Sequence, residues 1–286
     1  KSFRRLVFDE LCANFCTLSE NRKIIKKEKI KKNFLKKKSN SIKKKLPFKL
    51  TSSQEKVLNE INDDLLSKKR MFRIVQGDVG SGKTIVSLLA ISNVIESGYQ
   101  CALMGPTEIL AKQHYELAKK IYQNSNFKID FLTGKTEYRY RKEILNNLES
   151  GVTNLLIGTH ALFQKKSNFK KVGLVIIDEQ HKFGVKQRSE LAKKGGDNCD
   201  VLLMSATPIP RTMMMSLYGD MDISKITEKP AKRKTIVTLS KPEKKVDQLW
   251  PFIKKQIDKQ NQIFWVCPLI NESSFLDYSS AKKKFD

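Results

Sequence analysis

The sequence has 286 residues, of which 40% are hydrophobic and 30% are charged, so it can bury a substantial core and is long for a single domain. Its formal net charge is +25, from 55 Lys and Arg residues against 30 Asp and Glu, which indicates a polyanionic partner such as a nucleic acid. It contains no secretory signal and no apolar run near the length of about 18 residues that a membrane span needs. A soluble cytoplasmic protein without a membrane partner is therefore predicted.

Residues that bind transition metals are scattered along the sequence. None of the five cysteines forms a C-x-x-C pair, so free thiols in a reducing compartment are predicted. The histidines also lie too far apart in the sequence to indicate a metal site. These residues are Cys12, Cys16, Cys101, Cys199 and Cys267, and His114, His160 and His181.

Residues 1–46 are predicted to be a basic helical linker. Apolar residues between Phe3 and Phe15 recur at helical spacing, which predicts a face that packs on another surface. Residues 21–49 hold 14 Lys and Arg residues and one acid, Glu28, and so supply about half of the net positive charge. This basic stretch can be an amphipathic helix, a solvated tether or a nucleic-acid contact, and the solvated tether is favoured.

Strands and helices alternate through residues 47–228. Several strands, such as 174–177, are continuously apolar, which is typical of a parallel sheet covered on both faces. The pattern predicts a doubly wound α/β domain with its ligands at the carboxyl ends of the strands. The predicted strands are 71–76, 100–104, 128–132, 153–158, 173–177 and 201–204, and the predicted helices are 54–66, 84–97, 108–124, 137–149, 185–194 and 210–217.

A phosphate-binding loop follows the first of these strands. The glycines of G-x-x-x-x-G-K-[ST] let backbone N–H groups surround a polyphosphate, and the following helix adds partial positive charge. Lys83 is expected to contact the outer phosphates, and the Thr84 hydroxyl is expected to bind Mg²⁺. A nucleoside triphosphate is the predicted ligand. The residues are Gly77, Asp78, Val79, Gly80, Ser81, Gly82, Lys83 and Thr84.

Two further motifs end strands of the same predicted sheet. Asp178 and Glu179 follow strand 173–177, and a triphosphatase needs one carboxylate near Mg²⁺ and a second to orient the attacking water. Ser205 and Thr207 follow strand 201–204. Their hydroxyls can contact the acidic loop, cap a helix before Pro208, or do both.

Residues 229–286 are predicted to be the incomplete start of a second domain. A linker rich in Pro and Lys follows Glu228. A strand at 235–239, a helix at 243–259 and a strand at 262–266 then form a βαβ pattern.

The motifs together resemble those of superfamily 2 helicases, and most closely the RecG family of branched-DNA helicases. Asp178-Glu179-Gln180-His181 stands where the superfamily has its acidic box, and Ser205-Ala206-Thr207 with Arg211 is similar to its SAT motif. Residues 158–162 and 218–222 favour RecG over the transcription-repair coupling translocases. Lys182 departs from the family, which usually has Arg there.

The resemblance implies a RecA-like P-loop NTPase motor domain, with ATP and Mg²⁺ as cofactors, that couples hydrolysis to DNA unwinding. Its partner would be branched DNA, such as a fork or a Holliday junction, in recombination and replication-fork repair, and the protein would act as a monomer. The alternatives are a coupling translocase, another superfamily 2 motor, or a nucleotide-dependent DNA-binding module without productive hydrolysis. The family's wedge domain and the later arginines of its second motor domain are not in this sequence, so weak hydrolysis is expected.

Residue roles follow from the same resemblance. Phe48 and Gln54 match the adenine-recognition motif. Asp178 is the Mg²⁺-side acid, and Glu179 is the acid that orients water. The coupling of hydrolysis to DNA movement is assigned to Gln180, His181, Ser205, Ala206, Thr207 and Arg211, and the tracking of the DNA strand to Pro106, Thr107, Thr133, Gly134, Thr159 and His160.

Overall fold

A computed structural model describes residues 5–13, 16, 28–163, 167–178, 198–207, 221–228, 237–240 and 242–266. The chain divides into two compact units, Lys1–Lys232 and Arg233–Asp286. The domain limits expected from the sequence, 1–46, 47–228 and 229–286, stay a prediction.

A seven-stranded parallel sheet forms the centre of the first unit, with strand order β3-β4-β2-β5-β6-β1-β7. The six strands expected from the sequence are all present, with ends that differ by no more than two residues. β7 was not expected. The strands are β1 (Phe72–Gly77), β2 (Gln100–Met104), β3 (Ile129–Leu132), β4 (Leu155–Gly158), β5 (Val172–Ile177), β6 (Asp200–Ser205) and β7 (Asp222–Ile226).

Helices connect β1 to β2, β2 to β3 and β3 to β4, as a parallel sheet requires. The helices expected within residues 54–149 are confirmed, and the two expected at 185–194 and 210–217 lie outside the described residues. A short 3₁₀ helix covers His160–Phe163. The helices among the described residues of the first unit are α1 (residues 5–13), α2 (Lys37–Lys45), α3 (Ser52–Leu66), α4 (Lys83–Glu96), α5 (Glu108–Tyr122) and α6 (Tyr138–Ser150).

Both faces of the sheet are buried, which confirms the interpretation of the continuously apolar strands. Within β5, Leu174 and Ile176 belong to one apolar cluster, whereas Val175 and Ile177 belong to the cluster on the other face. Successive side chains alternate across a strand, so a strand that is apolar at every position serves both clusters. The α/β fold class predicted from the sequence is therefore confirmed.

The basic N-terminal stretch is partly built into this domain. Residues 28–36 contain no helix, and Glu28 forms a bridge with Lys69. Lys29 and Lys32 are 7% and 0% exposed, so the expectation of a solvated tether or a continuous helix is wrong for residues 28–36. We call residues 28–36 the strap.

The strap is held by a buried carboxylate at the amino-terminal end of β6. The Nζ of Lys29 lies 2.7 Å from both carboxylate oxygens of Asp200, and the Nζ of Lys32 lies 2.5 Å from Oδ2. Burial is the largest influence on the pKa of Lys29 and lowers it from its usual value, although the attraction of Asp200 opposes this shift. Two lysines that were predicted to be exposed therefore form a buried ion-pair cluster with Asp200.

The first two helices of the first unit differ in how they contact the rest of the domain. The carboxylate of Glu96 accepts backbone hydrogen bonds from Leu35 and Lys38 at the start of α2, which satisfies amides that have no partner within the helix. In α1, Leu6 and Phe8 are 67% and 65% exposed. The idea that this apolar face packs on another surface stays a prediction.

The second unit has a 3₁₀ helix over Glu243–Leu249 followed by α7 (Trp250–Asp258). The predicted strand at 262–266 is wrong, because residues 261–266 have no regular secondary structure. Residues 237–240, at the end of the other predicted strand, are also irregular. A strand needs a neighbour for its hydrogen bonds, and the Trp265 ring instead stacks on the Trp250 ring, with centroids 5.5 Å apart.

Among the described residues, no helix has the length and apolar character to cross a membrane, and no three or more His, Cys, Asp or Glu side chains cluster as metal ligands do. The four described cysteines are free thiols, as expected. Burial raises the pKa of the Cys199 thiol to about 12. That thiol is therefore in its unreactive protonated form at neutral pH.

Candidate active site

Three of the sequence motifs meet at the carboxyl-terminal edge of the sheet. β5, β6 and β1 are neighbours, and they end at the acidic box, the SAT motif and the phosphate loop respectively. Their parallel registers pair Ile177 with Leu203 and Gln76 with Ser205. The phosphate loop is thereby brought to the same edge as the acidic box, which follows it about 100 residues later in the sequence.

The phosphate loop connects the end of β1 to the start of α4. Gly80 and Gly82 have φ angles of 75° and 90°, in the left-handed region that glycine adopts without strain. The Nζ of Lys83 donates to the carbonyl oxygens of Gly77 at 2.6 Å and Asp78 at 3.0 Å. The ammonium group is therefore held inside the curve of the loop, where an anion would meet it.

The loop also contains a buried hydroxyl that fits a polar ligand. The Ser81 side chain is 2% exposed, and its Oγ has no hydrogen-bond partner. Buried polar atoms without a partner are rare in folded proteins, and they often face a ligand or a water molecule. A Cβ on Gly77 would lie 2.5 Å from this Oγ, so only glycine at that position leaves the space open. These features fit a bound polyphosphate.

Gln54 joins the start of α3 to the phosphate loop. Its Oε1 accepts from the Thr51 backbone N–H at 2.9 Å, and the Thr51 hydroxyl accepts from the Gln54 N–H, which completes a capping box. Its Nε2 donates to the Ser81 carbonyl at 2.7 Å. Gln54 is only 4% exposed, and its amide stabilises the phosphate loop. Its role in adenine recognition stays a prediction.

Two other residues predicted to contact the nucleotide are Phe48, before α3, and Thr84, the last residue of the loop. Phe48 is 47% exposed, which leaves its ring accessible for stacking. Thr84 is half-buried in the first turn of α4. Magnesium prefers hard oxygen ligands and is usually held by one or two protein groups together with phosphate oxygens and water. The hydroxyl of Thr84 and the carboxylate of Asp178 are oxygen ligands of this kind.

Asp178 comes directly after β5 and is 8% exposed. Its backbone N–H donates to the Met104 carbonyl at 2.9 Å, which continues the pairing of β5 with β2 by one residue. Its Oδ2 lies 2.8 Å from Nε2 of His114 in α5. The other predicted members of the acidic box, Glu179, Gln180 and His181, lie outside the described residues.

The SAT motif is described as far as Thr207. Ser205, the last residue of β6, has its Oγ 3.0 Å from the Thr207 Oγ1 and 3.2 Å from the Thr207 carbonyl oxygen. Ala206 between them is half-buried. The two hydroxyls thus contact each other across a tight turn. Arg211 lies outside the described residues.

The predicted DNA-tracking residues lie on the other half of the same edge. Pro106 and Thr107 follow β2, Thr133 and Gly134 follow β3, and Thr159 and His160 follow β4. Because β3, β4 and β2 are adjacent and parallel, the three loops lie side by side. The sheet therefore separates a nucleotide half from a candidate DNA half along one edge.

The side chains of these loops differ in accessibility. Thr107, Gly134 and His160 are exposed, whereas Thr133 and Thr159 are 3% and 6% exposed. The Thr107 hydroxyl accepts from the Leu110 N–H and caps α5. The Thr133 hydroxyl accepts from the Lys135 N–H. Buried threonines at these positions shape the loops, so a phosphate would meet exposed side chains and backbone groups.

Sequence reasoning missed two buried contacts, one beside the acidic box and one at the opposite edge of the sheet. The His114–Asp178 pair joins residues 64 positions apart, and the Lys29–Asp200 pair joins residues 171 positions apart. Neither pair leaves a local pattern that a single sequence could reveal. A signal was present only in the unusual placement of a histidine among the apolar positions of α5.

Comparisons with known proteins agree with these motifs. A family model described as DEAD/DEAH box helicase matches residues 51–216. The ATP-dependent DNA helicase RecG of Streptococcus pneumoniae is 44% identical over 285 residues, which cover 98% of this chain and 42% of that protein. RecG of Bacillus subtilis is 47% identical over 238 residues, which cover 83% of this chain and 35% of that protein.

Solved structures are similar as well. A structure of RecG bound to a three-way DNA junction has a TM-score of 0.79 and 39% identity, and the match covers 90% of this chain and 34% of that chain. The DEAD-box helicase Mss116 bound to ssRNA has a TM-score of 0.57 at 22% identity, which supports the fold alone. The chain thus spans less than half the length of these RecG proteins, and the resemblance to RecG drawn from the motifs is confirmed.

Proposed function

Because this chain belongs to the DEAD/DEAH box helicase family, we propose that it is the ATP-binding motor domain of a RecG-like DNA helicase. The proposed activity is ATP hydrolysis coupled to the unwinding of branched DNA, in recombination and replication-fork repair in the cytoplasm, by a monomer. The observation that carries the proposal is the meeting of the phosphate loop, Asp178 and Ser205 at the ends of three adjacent strands.

The phosphate loop would bind the triphosphate of ATP. Residues 77–84 supply backbone N–H groups at the start of a helix, and Lys83 supplies a positive charge to the outer phosphates. Gln54 holds the loop through the Ser81 carbonyl, and the exposed ring of Phe48 is available to the base.

Thr84 and Asp178 would hold Mg²⁺, which when bound neutralises negative charge on the phosphates as the terminal phosphoryl group is transferred. Asp178 is held in place through its backbone by β2 and through its carboxylate by His114. By the family resemblance, Glu179 orients the attacking water.

The residues of the SAT motif and of the acidic box would couple hydrolysis to DNA movement. Ser205 and Thr207 lie at the end of β6, between the strands that carry Asp178 and the phosphate loop. A rearrangement on either side would therefore reach their paired hydroxyls. Gln180, His181, Ala206 and Arg211 complete this proposed coupling group by resemblance.

The loops after β2, β3 and β4 would follow the phosphates of a DNA strand. In their described residues they offer backbone groups and the exposed Thr107, Gly134 and His160 to the phosphates, which position DNA without reading its sequence. The RecG structure on a three-way junction supports a branched DNA partner.

DNA binding is expected to be independent of sequence and sensitive to salt. The logarithm of the association constant should fall linearly with the logarithm of the salt concentration, with a slope of about −0.7 to −0.9 for each phosphate neutralised. The measurement is fluorescence anisotropy with two labelled oligonucleotides of unrelated sequence, titrated at several salt concentrations.

Matched lysine variants locate the contact. Lys135, whose side chain is 84% exposed beside Gly134, should contribute, so Lys135→Ala should make the slope shallower by about one phosphate. Lys56 is exposed on α3, away from the three loops, and Lys56→Ala should leave the slope unchanged. Equal slopes in the two variants, or a strong sequence preference, would count against the proposed DNA face.

A further inference from the structure

His114 forms a buried contact that the proposed motifs leave unexplained. Its Nε2 lies 2.8 Å from Oδ2 of Asp178, and the two residues are 7% and 8% exposed. A carboxylate accepts hydrogen bonds, so the N–H at Nε2 donates. His114 belongs to α5, and the family resemblance assigned it no role.

This contact restricts the orientation of the Asp178 carboxylate. The Asp178 backbone is held by its N–H bond to the Met104 carbonyl, but that bond leaves the side-chain torsions free. The His114 bond to Oδ2 restricts those torsions. Groups that hydrogen-bond a ligand carboxylate in this way orient it, and their loss typically costs 10–100-fold in metal affinity or activity.

The helix that carries His114 is a rigid support. Its first turn is capped by the Thr107 hydroxyl. A Cβ on Gly105 would lie 2.8 Å from the backbone nitrogen of Ala111, so the loop before α5 packs directly against the helix. Near the other end, the Tyr122 hydroxyl donates to the Leu88 carbonyl in α4 at 2.5 Å. Because the helix is held near both ends, the His114 side chain that it carries can hold its partner within a narrow range of positions.

We propose that His114 is a positioning residue that holds the Asp178 carboxylate in the orientation required to bind Mg²⁺ with ATP. This inference rests on the proposed function, because it concerns the same nucleotide site. It adds a residue outside the predicted motifs, on the helix that follows the loop of Pro106 and Thr107. The contrasting possibility is that the His114–Asp178 bond only contributes to folding stability.

The test compares nucleotide affinity with and without magnesium. A fluorescent ATP analogue is titrated into the 286-residue chain with Mg²⁺ or with EDTA, and the ratio of the two affinities gives the magnesium-dependent gain. His114→Leu should reduce this gain about ten-fold, while the affinity in EDTA, which depends on the phosphate loop, should stay unchanged.

Two matched variants separate positioning from stability. His114→Gln places an amide donor at a similar reach and should restore most of the gain. Gln113 is exposed on the same helix, so Gln113→Leu should behave as the unchanged protein. Melting temperatures of all variants are measured in parallel, because a purely structural role would lower the melting temperature and leave the magnesium-dependent gain intact.

The outcomes distinguish this inference from the proposed function. If the unchanged chain binds the analogue with a magnesium-dependent gain and His114→Leu retains that gain, the positioning role is overturned while the ATP site stands. Equal losses in His114→Leu and His114→Gln would also overturn it, since restoring the donor would then have no effect. If the unchanged chain binds no nucleotide, both proposals fail together.

Discussion

Replacing Asp200 by asparagine is expected to lower the free energy of unfolding by about 3–5 kcal/mol. Asp200 is fully buried and pairs with two lysines whose side chains are also fully buried. Its Oδ1 in addition accepts from the Met71 N–H at 2.6 Å. Removal of the one carboxylate leaves two ammonium groups in an interior that cannot hydrate them, and this cost exceeds that of losing a surface ion pair.

Urea denaturation of the unchanged chain and of Asp200→Asn measures the loss of stability, with Asp63→Asn as the control. Asp63 is an exposed carboxylate on α3, so its replacement should change the free energy of unfolding by no more than about 0.5 kcal/mol. Trypsin supplies a second measurement, because release of the strap would expose Lys29 and Lys32 to cleavage. Equal stability of the two variants, with no new cleavage at those lysines, would contradict the buried cluster.

Replacing Lys83 by alanine is expected to weaken Mg-ATP binding by about 10–150-fold. A hydrogen bond to a charged group contributes about 1.5–3 kcal/mol, and each 1.4 kcal/mol is a factor of ten in affinity. The Lys83 ammonium already lies within the loop on the Gly77 and Asp78 carbonyls, so little rearrangement is needed before it meets a phosphate. Calorimetric titration of Mg-ATP measures the change.

Lys112→Ala is the matched control for Lys83→Ala. Lys112 is an exposed lysine on α5 with no place in the proposed site, so its loss should leave the nucleotide affinity unchanged. Circular dichroism of both variants should match that of the unchanged chain, because neither lysine supports the core. Equal nucleotide affinities in the two variants would contradict the assignment of residues 77–84 as the ATP-binding loop.

The sequence was most informative where local pattern and tertiary structure agree. In the apolar run of β5 and in the loop of Gly77 to Thr84, the residues that determine the local structure are consecutive in the sequence. β7 was missed because it is short and mixes polar with apolar residues. The buried Ser224 hydroxyl accepts a hydrogen bond from the Arg73 guanidinium at 2.8 Å and donates one to the Glu60 carboxylate. A polar side chain therefore occupies a position that usually carries an apolar one.

The lysine-rich stretch shows the opposite case. A run of lysines is normally solvated, and composition alone gave no reason to bury Lys29 and Lys32. Their partner Asp200 lies more than 160 residues later and is the first residue of the otherwise apolar strand β6, where a polar residue is unremarkable. His114 was missed for the same reason, because its partner in the acidic box is distant in the sequence.

The predicted strand at 262–266 failed because the local pattern was followed without a partner strand. Its apolar residues have strand propensity, but propensity reports a fit to a sheet that must exist nearby. In the described part of the second unit, α7 and the stacked Trp250 and Trp265 rings take the place of a sheet.

Nucleotide and DNA are expected to occupy two halves of one edge of the sheet. Hydrogen–deuterium exchange of the chain, alone, with Mg-ATP and with a single-stranded oligonucleotide, tests this claim most directly. We expect Mg-ATP to slow exchange at residues 77–84, and DNA to slow exchange at residues 107–108, 133–136 and 159–160. Mg-ATP protection at the opposite edge, around residues 68–71 and 198–201, with none at 77–84, would contradict the claim.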